Sequence, residues 1–198
     1  STKVVEEMAP YWNELWGNPS NKNNRSGVFA SAAVEVSREK IASYLNINPK
    51  RLIFTSGATE ANNLGLVGHA RAKAQLIGKP GHIITVSTEH HAVLDPLRQL
   101  QKEGFRLTEL QPNKEGLINI EQLSEAFEKD TFLVSVMAAN NEIGVLQPIG
   151  DIGSFCKRKG IAFHSDAAQA FGYLDLDPDK FRIDLMSLSA HKIYGPKG

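Results

Sequence analysis

The chain has 198 residues, with 22 Lys and Arg against 22 Asp and Glu, 41% apolar residues and 8% aromatics. A chain of this length buries about 70% of its extended surface on folding, enough for one large core without disulfides or structural metals. Balanced charge without a Lys/Arg block gives no footprint for a polyanion, and the longest apolar runs are too short to span a bilayer, so nucleic-acid and membrane partners are not expected.

The first sixteen residues read as a helical segment, followed by a main domain over 17–198. GNPSNKNNRSG, residues 17–27, is rich in Asn, Ser and Gly without periodicity and reads as a surface loop. Beyond it, helical spacing over 31–45, 59–76, 92–104, 120–127 and 149–160 alternates with apolar, β-rich runs over 51–54, 82–86, 106–110, 132–137, 161–164 and 184–188. This alternation predicts an α/β fold, a mostly parallel sheet covered by helices in three layers. Such sheets place their chemistry in the loops after the strands.

Five strand-end segments carry candidate residues. After RLIF, Thr55-Ser56-Gly57-Ala58-Thr59-Glu60 opens a helix whose free N–H groups suit a phosphate, although an ordinary Ser/Thr cap has the same composition. After HIITV come His90 and His91, which fit proton transfer or stacking over a ligand, or simple capping. They are not expected to bind metal: adjacent residues point apart and no third ligand has metal-site spacing. FLVSVM leads into Asn140 and Asn141, amides able to orient a planar polar ligand or to form an Asx turn. IAFH delivers Asp166, with Gln169 three residues on and on the same face of an expected helix; the carboxylate suits a buried cation or an N-cap. DLMSLS ends at Ser189, His191 and Lys192, and a strand-end lysine in the interior is a candidate imine-forming amine, whereas an isolated lysine is a solvated charge. Together these are the parts that hold pyridoxal 5'-phosphate: an anion site, an amine for the aldehyde and an acid for the pyridine nitrogen.

The motifs FTSGATEANNLG, TEHHAVLDP, NNEIGVLQPI, HSDAAQAFG and SLSAHKIYGPKG resemble, in this order and spacing, the cysteine desulfurases of the class V aminotransferase group. The resemblance covers nearly all of the chain and implies the fold-type I large domain, a homodimer, and removal of sulfur from L-cysteine to give L-alanine and an enzyme persulfide. The sulfur then passes to an acceptor or scaffold protein for iron–sulfur clusters or tRNA thiolation. Position by position, Lys192 resembles the lysine that bonds the cofactor aldehyde, Asp166 the pyridinium partner, and His90 the residue stacked on the ring that assists proton transfer. Gln169 and Asn141 resemble the contacts to the phenolic oxygen or substrate; Ala58, Thr59, Ser189 and His191 match the phosphate site; His91 falls on a position that is not catalytic in the family.

The family's nucleophilic cysteine and substrate-carboxylate arginine lie beyond the lysine motif and are absent here, as is the small domain. The chain is therefore expected to be a fragment carrying the cofactor half, inactive in turnover alone. A selenocysteine lyase, another class V enzyme or a non-catalytic module of this fold are the competing readings. Cys156, in FCKRKG on an expected helix, reads as a half-buried structural thiol. A single cysteine and no secretory leader pattern point to a reducing interior, the cytoplasm or an organelle matrix.

Overall fold

The computed structural model describes residues 1–196, so Lys197 and Gly198 of the HKIYGPKG motif lie outside the described residues. The chain divides into two compact units, Ser1–Phe54 together with the stretch from Ala190, and Thr55–Ser189.

The first unit contains α1 (Thr2–Asn13) and α2 (Arg25–Tyr44). Helix α2 starts six residues earlier than its apolar spacing predicts, inside the expected 17–27 loop. The cause is Asn24, whose side chain accepts the Gly27 N–H at 2.7 Å and caps the first turn. A Cβ on Gly27 would lie 1.8 Å from the Asn21 carbonyl oxygen, so only glycine lets the Asn-rich loop fold against that turn. The expected strand at 51–54 does not form. Asn48 caps a 3₁₀ turn at Pro49–Arg51, and the Leu52 carbonyl accepts from the Arg38 guanidinium, which also stacks 4.8 Å from the Phe54 ring centroid. The apolar run is held by a side chain from α2 instead of a neighbouring strand.

In the second unit, a helical segment opens with α3 (Ala58–Asn62), passes through a π turn at Asn63–Val67 and continues as α4 (Gly68–Ile77). There follow β1 (His82–Val86), α5 (His91–Lys102), β2 (Arg106–Leu110), α6 (Ile120–Ala126), β3 (Thr131–Ser135), α7 (Ile149–Lys159), β4 (Ala162–Asp166), α8 (Pro178–Phe181) and β5 (Leu185–Ser187). All strand pairs are parallel, in the order β2-β1-β3-β4-β5. Strands β1 and β3 are wholly buried, which explains why they read as continuous apolar runs.

Leu66 and Ala70 of the segment before β1, with Val93, Leu97 and Leu100 of α5, bury Ile83 and Leu133 of the sheet in one cluster. Helices α6 and α7 lie outside that cluster and contact β2 and β4, completing three α/β/α layers. The strand order turns back between β1 and β3, and open parallel sheets bind ligands at such a point beyond the strands' carboxyl ends. Among the described residues no helix is long and apolar enough to cross a membrane.

The helix expected to start at Asp166 is absent. Asp166 is the last residue of β4, and the chain then turns through Ala167–Ala170, with the Ala170 and Phe171 N–H groups both bonded to the Ala167 carbonyl. Gly172, at φ 84°, leads out of the turn.

Candidate active site

β4 places Asp166 at the carboxyl end of the sheet, 6% exposed. Its Oδ2 accepts from Nδ2 of Asn62 at 2.8 Å, and its Oδ1 accepts from the Ala168 N–H at 3.0 Å. Both oxygens of this buried carboxylate thus accept a hydrogen bond. Asn62 is itself fully buried, and its Oδ1 has no partner among the described residues.

Two residues back on the same strand, His164 is fully buried, with Nδ1 2.8 Å from the Ser135 hydroxyl of β3 and Nε2 3.2 Å from the Ser187 hydroxyl of β5. Burial pushes its pKa down to about 4, against the pull of the Asp166 charge, so the ring is neutral at pH 7. His164 thereby ties three strands together behind Asp166. The segment before β1 packs closely here: a Cβ on Gly65 of the π turn would lie 3.8 Å from the His164 ring.

At the end of β1, His90 caps α5. Its Nδ1 accepts the Ala92 N–H at 3.0 Å, which leaves the proton of the neutral ring on Nε2, and the residue is exposed. His91 is the first residue of α5, with its Nδ1 3.7 Å from Asp95 one turn on and an 80% exposed side chain. The two adjacent histidines thus differ in role: one is tied to the strand end, the other is a solvated helix residue. Between β1 and His90, Glu89 is buried, and its Oε1 accepts the Met137 N–H at 2.6 Å.

Beyond β3, Asn140 is the turn former. Its Oδ1 accepts from the Glu142 and Ile143 N–H groups at 2.9 and 3.0 Å, and its Nδ2 donates to the Thr88 carbonyl at 2.9 Å. Asn141 is exposed, its side chain outside this lattice of bonds. Helix α3 opens at Gly57 with no side-chain cap, and the Glu60 carboxylate reaches back to the Ser56 N–H at 2.6 Å. Ala58 and Thr59 occupy the first two helical positions, where backbone N–H groups have no intrahelical partner.

Asp166, Gln169, His90, Asn141, Ala58, Thr59 and the buried Ser189 therefore all belong to the sheet unit, on or just after its strands' carboxyl ends or at the opening of α3. His191 and Lys192 belong to the other unit, exposed in a 3₁₀ turn at Ala190–Ile193. Asn62, Glu89 and His164 were not singled out by the sequence reading. Each stands inside one of the quoted motifs, Asn62 in FTSGATEANNLG, Glu89 in TEHHAVLDP and His164 in HSDAAQAFG, beside more conspicuous residues.

These residues fit a phosphorylated pyridine. The carboxylate held by two donors suits a pyridinium, the uncapped helix start suits a phosphate, and the unpartnered Oδ1 of Asn62 and Oε2 of Glu89 leave polar capacity around that carboxylate. The family model for Aminotransferase class-V matches residues 1–198.

The chain belongs to the class-V aminotransferase family.

Among its relatives, this class-V chain is 50% identical over 196 residues to "Cysteine desulfurase IscS" of Dechloromonas aromatica (strain RCB), covering 99% of this chain and 48% of that one. It is also 50% identical to the "Probable cysteine desulfurase, mitochondrial" of Schizosaccharomyces pombe, covering 99% of this chain and 38% of that one. Among solved structures, "SspA in complex with cysteine" superposes with a TM-score of 0.95 at 42% identity, over 100% of this chain and 56% of that one. A NifS-like protein gives 0.93 at 36% identity, over 100% and 54%. The chain spans about half the length, or less, of the curated relatives it matches. The fold is that of the fold-type I large domain, and membership in the family implies pyridoxal phosphate chemistry.

Cys156 is more deeply placed than its sequence suggested, 1% exposed inside α7. Burial pushes its thiol up to about 12, with the Asp184 charge adding to the effect. At pH 8 about one molecule in ten thousand would carry the thiolate, the reactive form. Native protein treated with an aromatic disulfide reagent should leave Cys156 unmodified over hours, and denatured protein should react at once; rapid labelling of the native fold would refute its burial.

Proposed function

We propose that this chain is the cofactor-binding portion of a pyridoxal-phosphate-dependent cysteine desulfurase, which takes sulfur from L-cysteine to leave L-alanine and an enzyme persulfide. The observation that carries the reading is Asp166, a buried strand-end carboxylate held by Asn62 and Ala168. Bound beside it, pyridoxal phosphate supplies an electron-withdrawing ring that weakens the bonds at the substrate's Cα.

The chain's own residues do the rest. Asp166 holds the proton on the pyridine nitrogen. His90 stacks on the ring and presents Nε2–H for proton transfer, its tautomer set by the Ala92 bond. Gln169 and Asn141 orient the phenolic oxygen or substrate, and Ala58, Thr59, Ser189 and His191 hold the phosphate. Lys192 is the amine that would hold the cofactor's aldehyde. Cys156 is not the sulfur nucleophile, since its thiol is buried and stays protonated; a thiol elsewhere in the enzyme takes that part.

L-cysteine as substrate is supported by the cysteine complex of the SspA neighbour. A homodimer, a sulfur acceptor or scaffold protein, a helical segment at 1–16 ahead of a cofactor domain from residue 17, and a reducing compartment, cytoplasm or organelle matrix, complete the reading. The test is chemical. Protein loaded with the cofactor, reduced with borohydride and digested should carry the pyridoxyl label on Lys192, and the full-length enzyme should release alanine and sulfide from L-cysteine in equal amounts under reductant. A label on another lysine, or alanine without sulfide, would overturn it.

A further inference from the structure

Glu89 is the buried acid that the proposed chemistry does not use. It follows the turn after β1, its own N–H bonded to the Val86 carbonyl, and its side chain crosses to the backbone beyond β3, where Oε1 accepts the Met137 N–H at 2.6 Å. Its neighbour Thr88 is tied to the same loop through Asn140. The second oxygen, Oε2, is buried without a partner among the described residues.

A buried carboxylate with one donor and a bare oxygen is costly, and Asp166 is a second acid within electrostatic reach. The two sites are not equal. Asp166 has two donors and Glu89 has one, so the charge is better accommodated on Asp166. Of the other titratable groups nearby, His164 behind Asp166 is neutral and offers no compensating positive charge, and His90 has its Nδ1 engaged by Ala92.

We propose that Glu89 is a proton-carrying positioning residue, a neutral carboxylic acid that pins the turn before His90 to the backbone beyond β3 and leaves the negative charge of the cluster on Asp166. Burial, together with the Asp166 charge, holds the Glu89 carboxyl well above the usual carboxylate range, against the Met137 bond. The functional half of this inference rests on the proposed role of Asp166; the protonation half does not.

Folded Glu89 keeps its proton after the unfolded chain has lost it, so its contribution to stability is full below the unfolded pKa and declines as pH rises towards the folded value.

The experiment uses cofactor-free protein labelled with ¹³C-carboxyl glutamate and isotope-edited infrared spectroscopy. At pH 7.5 the wild type should show a protonated carboxyl band that is missing in Glu89→Gln. In Asp166→Asn the same band should disappear at lower pH than in the wild type, because a neighbouring negative charge has gone. Thermal stability of the wild type should fall relative to Glu89→Gln as pH rises from 5 to 8. With cofactor added, Glu89→Ala should bind it about tenfold or more weakly, since it orphans the Met137 N–H, and Glu89→Gln should restore binding because its amide still accepts that bond. Absence of a Glu89 band at pH 7.5, or failure of Gln to restore what Ala loses, overturns the proposal. A band that behaves as expected while Asp166→Asn keeps full Cα-proton exchange refutes the role of Asp166 and leaves the protonation of Glu89 standing.

Discussion

An Asp166→Asn enzyme should fold, keep its grip on the cofactor phosphate, and exchange the substrate's Cα proton slower by on the order of a hundredfold or more, the scale of losing one preorganised electrostatic partner. The substitution is locally tolerable because of Asn62. That amide donates Nδ2 to Asp166 and has an unpartnered Oδ1, so turning it over offers an acceptor to the new amide at 166. The Ala168 N–H still finds an oxygen at 166. What the variant loses is the negative charge, and with it the reason for the pyridine nitrogen to stay protonated. Deuterium wash-in at Cα of L-alanine, followed by NMR, measures the chemical loss, and fluorescence titration measures cofactor affinity. Equal losses in both would count against an electronic role for Asp166 and would leave it as a binding contact.

Phe163→Ala should cost about 3–5 kcal/mol of stability, the range for deleting a buried aromatic, which is a large part of the total of about 5–15 kcal/mol that a domain possesses. Phe163 is fully buried in β4, immediately before His164 and three residues before Asp166. Its backbone is bound on both sides to Asp184, the N–H donating to Oδ2 at 2.9 Å and the carbonyl accepting the Asp184 N–H at 2.9 Å. The ring lies against α7 at Gly153, where a Cβ would be 3.3 Å from Phe163 Cδ1 and 2.0 Å from the Phe181 carbonyl oxygen. With backbone on the far side of that gap, the site has little room to collapse around the cavity. Urea denaturation monitored by circular dichroism reads the loss. Leu76→Ala, at a position 80% exposed, should shift stability by no more than about 0.5 kcal/mol. A loss at Phe163 as small as that would mean β4 is not packed as described.

The strands β1 and β2 were legible to the residue, because each is a β-rich run bounded by turn residues and stands alone between helical periods. The helices α5, α6 and α7 were legible within two residues at either end for the same reason. Local pattern misled where a distant group overrode it. RLIF has the composition of a strand, and Arg38 from α2 takes the Leu52 carbonyl. Helix α2 was read short because Asn24, its cap, is hidden among other Asn residues. Asp166 and Gln169 have helical spacing, and the Ala167 carbonyl and Gly172 close a turn there instead.

The motifs named Lys192, Asp166 and His90, because each stands in a short segment whose neighbours in sequence carry the resemblance. No pattern in the sequence shows which distant groups pair around them. Asn62 meets Asp166 across 104 residues, Glu89 meets Met137 across 48, and His164 meets Ser135 and Ser187 across 29 and 23. By itself the sequence determined the parallel α/β architecture and the residue types gathered at its strand ends, since hydrophobic period and turn chemistry act over a few residues. The tertiary structure alone decided which carboxyl is doubly hydrogen-bonded, which is left with a bare oxygen and which imidazole is neutral, because desolvation and hydrogen bonding depend on which strands become neighbours.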